Sequence, residues 1–158
     1  MIRKLIMKFL LVMGACSIMV GCTNESGENF KAEIKDEESA IIYQIQVKDA
    51  IVVKSEEEII FKLKNEEEDV YKAYLEALEG SLDASNARAG THTTITSDDK
   101  EQLITAKTTV KFEEVNPDEI VYFFGSDYKS LLNESELPTW DKVKKGLEEE
   151  GYKITPIK

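Results

Sequence analysis

Beyond residue 22 the chain contains no cysteine, and its 158 residues include one histidine, one tryptophan and three prolines. Without thiols past that point, the body of the chain holds no disulfide framework, cysteine nucleophile or thiolate metal site. The lone imidazole, His92, excludes a histidine metal cluster and leaves few routes to acid–base chemistry near neutrality. A triad of His92 with a serine or threonine is arithmetically available. No nucleophile elbow surrounds it, however, and an exposed strand residue is the plainer reading. No glycine-rich phosphate loop occurs. Basic residues are also outnumbered: 20 Lys and Arg stand against 31 Asp and Glu, a net charge of −11. That balance argues against nucleic acid, which rewards clustered cations, and against lying flat on anionic lipid. The expectation is a non-enzymatic protein with no cofactor and no metal.

What is present begins with the first 22 residues. Arg3, Lys4 and Lys8 make a basic start without an acid, followed by the apolar run Phe9 to Val20 and the small Gly21. This is secretory-signal architecture, and the run is too short to span a bilayer as a mature helix. The ending Met19-Val20-Gly21-Cys22 resembles the lipobox of bacterial lipoproteins, which signal peptidase II cuts before a lipid-modified cysteine. Met13-Gly14-Ala15-Cys16 has a similar look, but cutting there would leave apolar Ser17 to Val20 on the new terminus. Cys22 instead precedes Thr23 to Glu28, a polar stretch suited to a flexible tether. An ordinary secretory signal and an uncleaved membrane anchor are the competing readings. Acyl chains on Cys22 would hold the protein at the membrane, each methylene contributing about 0.8 kcal/mol. The expected boundaries are a signal peptide over 1–21, a lipid anchor and tether over 22–29, and one α+β domain over 30–158, outside the cell membrane. With the leader removed the chain is more acidic still.

Along the domain the hydrophobic period changes several times. Asn29 to Ile34 suggests a short first strand. Ile41, Tyr43, Ile45 and Val47 alternate with Gln44 and Gln46, then Lys48-Asp49 marks a turn. Ala50 to Lys54 returns, and Ile59, Phe61 and Leu63 continue the inward face, with a bulge expected near Glu56-Glu57-Glu58. Asn65 with Glu68 reads as a capping box for a helix carrying Val70, Tyr71, Tyr74, Leu75 and Leu78. The acids of this stretch lack the spacing of a calcium loop. Ser81 to Gly90 reads as loop, and Thr91–Thr96 with Leu103–Phe112 as a second hairpin around Ser97 to Lys100. Asn116-Pro117-Asp118-Glu119 opens another helix with Ile120, Val121 and Phe124. Thr139 caps a last one with Trp140, Val143 and Leu147, ended by Gly151 in left-handed conformation. Lys153 onward reads as an edge strand stopping at Pro156. The fold class expected is α+β, an antiparallel sheet of two hairpins packed against about three helices.

Several of these segments resemble the YehR-like family of small bacterial lipoproteins. They are the lipobox ending in Cys22, the hairpin Tyr43 to Val52, the Asp98-Asp99-Lys100 turn and the close Gly146 to Lys153. The resemblance implies an envelope lipoprotein with an α+β domain and carries over no catalytic residue. If the apolar faces form the core, the opposite sheet face displays Gln44, Gln46, Lys107, Thr109 and Lys111, joined by His92 or its threonine neighbours. Such a Thr/Lys/Gln surface is a candidate docking face for an acidic or glycan partner, although antiparallel sheets commonly leave one side wet. The leading function is an extracytoplasmic binding module that contacts another protein or a cell-wall component. The alternative is a small-ligand or cation-binding lipoprotein that delivers cargo to a transporter. A pocket lined by Tyr43, Tyr71, Tyr74, Tyr122, Phe124 and Trp140 favours that alternative, and a filled core of the same residues favours the first.

Overall fold

The computed structural model of the protein describes residues 27–64, 66–116 and 130–157. The leader, Cys22, most of the tether, Asn65 and the helix expected from Pro117 to Phe124 lie outside the described residues.

Alternation of side chains across a pleated backbone produces the strands. They are β1 (Glu28–Lys35), β2 (Ser39–Lys48), β3 (Ile51–Lys62), β4 (Thr91–Asp98), β5 (Leu103–Lys111) and β6 (Lys153–Ile157). All pair antiparallel in one sheet of order β4-β5-β3-β2-β1-β6. Two helices are described, α1 (Glu68–Asn86) and α2 (Trp140–Glu149).

The expected assembly of two hairpins under about three helices is therefore corrected. Both hairpins form, but β3 also pairs with β5 and fuses them, while β1 and β6 extend the sheet to six strands. Among the described residues two helices cover it, not three. Both added strands fall where the sequence suggested them, β1 around Asn29 to Ile34 and β6 from Lys153 at the sheet edge, but β6 runs on through Pro156 to Ile157, because an edge strand tolerates a residue without an N–H.

Ile41, Ile45, Val47, Ile59, Phe61, Ile104, Ala106 and Val110 share the inward face, by register and burial. α1 lays Tyr71 and Leu78 over Ile59, Phe61 and Ile104. α2 lays Trp140, Val143 and Leu147 over Ala32, Ile45, Val47, Val52 and Val110. Trp140 stacks on Phe30 with ring centroids 4.4 Å apart. Each such buried side chain contributes roughly 1.5–3 kcal/mol. Both helices thus cover one face in two separate patches.

Local expectations fared unevenly. The β2–β3 connection is a two-residue turn with Asp49 and Ala50 both at positive φ (50° and 64°), the mirror-image turn whose twist suits a hairpin. The bulge lies at the hairpin end, not at the glutamates: Gln46 opposes Lys54 while Val47 opposes Val52, leaving Val53 extra. α1 begins with Glu67 at its cap position and no side-chain cap bond, two residues beyond the cap expected at Asn65. The helix also runs through the expected loop to Asn86. Ser85 Oγ lies 2.6 Å from Thr93 Oγ1, and Asn86 bonds both the N–H and the C=O of Thr93, ties that offset the weak propensities there. α2 ends as expected, with Gly151 at φ 92° and the Tyr152 N–H donating to the Leu147 carbonyl at 2.9 Å.

Candidate functional site

The sheet face opposite the helices carries the six residues singled out for binding. Gln44, Glu56, Thr109 and His92 stand in one row across β2, β3, β5 and β4. Gln46, Lys54 and Lys111 make the next row toward the hairpin end, and Glu58 with Lys107 the row on the other side. Period-two alternation places all six together, because register within a sheet with one buried face cannot slip by one.

They do not form one site. Gln44, Gln46 and Lys111 line a groove of about 580 Å³ with Asn29, Lys54 and Glu56. His92, Lys107 and Thr109 share the face but not the groove. The positive character expected there is offset by glutamates. Lys54 Nζ is 2.6 Å from Glu56, Lys107 Nζ 2.9 Å from Glu58, and Lys111 Nζ 2.8 Å from Glu114. Pairs this exposed contribute roughly 0.2–1 kcal/mol each and leave a surface that is polar but close to charge-balanced. Uncharged carboxamides, Asn29, Gln44 and Gln46, supply its donors and acceptors.

A second polar feature, inside the molecule, was missed in the sequence. Tyr43, Glu57, Thr108 and Thr93 form a row straight across the buried face. Glu57 is 3% exposed. Tyr43 Oη donates to Glu57 Oε1 at 2.5 Å, and Thr108 Oγ1 donates to Oε2 at 3.1 Å. Burial outweighs these two bonds and pushes the Glu57 carboxyl up to about 7. Burial, then the charge of Glu57, holds the Tyr43 hydroxyl well above its ordinary range, and burial likewise raises Tyr152. The signal was there: counting back by twos from Leu63, Phe61 and Ile59 lands on Glu57 and Ser55.

The aromatic residues that would have lined a ligand pocket are packed instead. Tyr71 and Tyr74 belong to the α1 cluster, and Tyr43 and Trp140 to the α2 cluster. Tyr122 and Phe124 lie outside the described residues. Among the described residues no group of three or more His, Cys, Asp or Glu is arranged to hold a metal, and no helix is long and apolar enough to cross a membrane.

A six-stranded antiparallel sheet with both described helices on one side and a polar open face on the other defines a two-layer α+β protein. The same fold occurs in E. coli YehR, whose NMR structure matches with a TM-score of 0.65 and 15% identity, over 86% of this chain and 96% of that one. The NMR structure of a protein from Streptococcus pneumoniae matches with a TM-score of 0.56 and 13% identity, over 91% of this chain and 94% of the other. The fold is thus YehR-like. No protein-family model matches the chain, and no curated protein does.

Proposed function

We propose that this protein is a lipid-anchored, extracytoplasmic binding module that meets its partner with the open face of its sheet. One observation carries the reading: the described helices cover a single face, and the other presents a groove of about 580 Å³ lined by Asn29, Gln44 and Gln46. Flat polar sheet faces are ordinary, but a groove with converging carboxamides offers a neutral polar segment more than solvation. The balanced charges favour an uncharged or zwitterionic envelope component, protein or wall, over an acidic one.

The lipobox resemblance at Cys22 supplies the anchor. Four residues separate Cys22 from Gly27, at most about 18 Å of extended chain over five Cα–Cα steps. Gly27 lies against the Val47 carbonyl, at the groove's end of the sheet. The groove would then face the near-membrane space. The packed state of Tyr43, Tyr71, Tyr74 and Trp140 weighs against the transporter-linked small-ligand alternative.

The test has two arms. Mass spectrometry of the protein from its native membrane should find a diacylglyceryl adduct on Cys22, and Cys22→Ser should release the protein from the membrane fraction. Photo-crosslinkers at Gln44 and Gln46 should then capture the same envelope component on intact cells, while one at Glu76 on α1 should not. An unmodified Cys22 would remove the anchor. Equal labelling from all three positions, or none, would remove the docking face.

A further inference from the structure

Glu57 is buried, apart from the groove, and it is the carboxyl around which the core is divided. One apolar cluster lies under α1 and another under α2, and the row Tyr43–Glu57–Thr108–Thr93 runs along the seam between them. Tyr152, the residue that follows Gly151 at the end of α2, leans on Tyr43 with ring centroids 5.5 Å apart. Both rings pack on the α2 side of the seam. A chain of contacts therefore runs from the tail of α2, through the packed rings of Tyr152 and Tyr43, to the Glu57 carboxyl and on to Thr108.

We propose that Glu57 is a proton-operated latch that couples the docking of α2 and its trailing Tyr152 to the pH outside the cell membrane.

The groups that face Glu57 fit that role. From β2 comes Tyr43 and from β5 Thr108, both neutral hydroxyls. From the tail of α2 comes Tyr152, with Glu150 next to it adding negative charge. Lys107 and Glu58 point to the opposite face and pair there with each other. The ionised carboxylate has two hydroxyl donors and no counter-charge among these neighbours, which is a costly state for a buried anion. With a proton bound, Glu57 can donate to Tyr43 Oη, and the seam holds no net charge. Ionisation makes Tyr43 the donor and leaves an anion beside the Tyr43–Tyr152 contact.

The sign follows from linkage. Glu57 binds its proton more tightly in the folded protein (about 7) than in a solvated chain (4.5). Its contribution to stability is fully present below 4.5, is lost as pH rises from 4.5 through 7, and changes no further above that. The full span corresponds to about a few-hundred-fold fall in the folding constant. Locally the loss falls on α2, whose trailing Tyr152 packs on Tyr43, the hydrogen-bond partner of the carboxyl, more than on α1, whose apolar cluster lies on the other side of the seam. The lone tryptophan, Trp140, begins α2 and reports on it directly.

The experiment uses the full chain in detergent. Carboxyl-carbon NMR follows the titration of Glu57, and amide hydrogen exchange, corrected for intrinsic rates, compares α2 with α1 at pH 5 and pH 8. The expected result is a Glu57 midpoint near 7, with protection of residues 140–152 falling about 100-fold between the two pH values and that of α1 falling less. In Glu57→Gln, a neutral isostere, the pH dependence of α2 should vanish while Trp140 emission stays that of a docked helix. A residue with only a packing role would lower protection in Glu57→Gln equally at both pH values. Should Glu57→Gln fail to fold, the wild-type data decide alone. A midpoint below 5, or α2 protection that does not track the titration, overturns the latch.

Discussion

Glu57 shows how much one side chain's direction matters. Its neighbours Glu56 and Glu58 face solvent and pair with Lys54 and Lys107 at 2.6 and 2.9 Å. Glu57 faces inward, where two hydroxyls are its donors. Three consecutive glutamates thus occupy two unlike environments because the strand's side chains alternate. The Tyr43 hydroxyl favours the anion, so Tyr43→Phe should raise the Glu57 midpoint above about 7, measurable by the same carboxyl NMR. A midpoint that falls would mean the hydroxyl does not donate to the carboxylate. Leu78, 1% exposed in the other cluster, obeys plainer rules. Leu78→Ala should cost about 2–5 kcal/mol in chemical denaturation, independent of pH between 5 and 8.

Elements here are held by their ends as much as by their faces. Asn86 closes α1 and bonds both backbone groups of Thr93 on β4, an outer strand of the sheet. A carboxamide in that position stands in for a missing neighbour strand and blunts the edge against pairing with other chains. Asn86→Ala should therefore speed hydrogen exchange at the Thr93 amide and cost about 1 kcal/mol, the worth of a lost bond. The opposite sign is expected at two positions. Ala50 holds φ 64° in the β2–β3 turn, a conformation that costs a residue with a Cβ, so Ala50→Gly should add about 1 kcal/mol in urea unfolding. Gly80 is exposed within α1 with nothing near its Cα that a methyl would meet, and Gly80→Ala should add about as much. Unchanged midpoints in both variants would show that neither position limits stability.

The whole molecule is asymmetric. Its described helices cover one side of the sheet, and the chain enters at Gly27, beside the hairpin end where the groove lies. With an anchor at Cys22, that end would stand toward the membrane. The acidic turns at Asp36-Glu37-Glu38 and Asp98-Asp99 lie at the sheet's other end, by register, where repulsion from an anionic surface is weakest. Shortening the tether by deleting Thr23 to Ser26 should leave the fold intact and reduce crosslinking from Gln46. Unchanged crosslinking from Gln46 would mean the tether does not set the orientation of the groove.

Local periodicity alone determined both hairpins, the two described helices, the end of α2 at Gly151 and the single face that gathers Gln44, Gln46, His92, Lys107, Thr109 and Lys111. These follow from side-chain direction along one strand or helix, which neighbouring residues settle among themselves. Only the tertiary structure decided the rest. The fusion of the hairpins through β3 and β5, the place of β1 between β2 and β6, and the extension of α1 to Asn86 all depend on partners far along the chain. So does the character of each charge. Lys107, on the face expected to dock an acidic or glycan partner, is paired with Glu58, and Glu57, in the run where a bulge was expected, lies in the seam of the core. A residue's type fixes what it can bond, but the dielectric and the partners around it come from strands that the linear sequence sets dozens of residues apart.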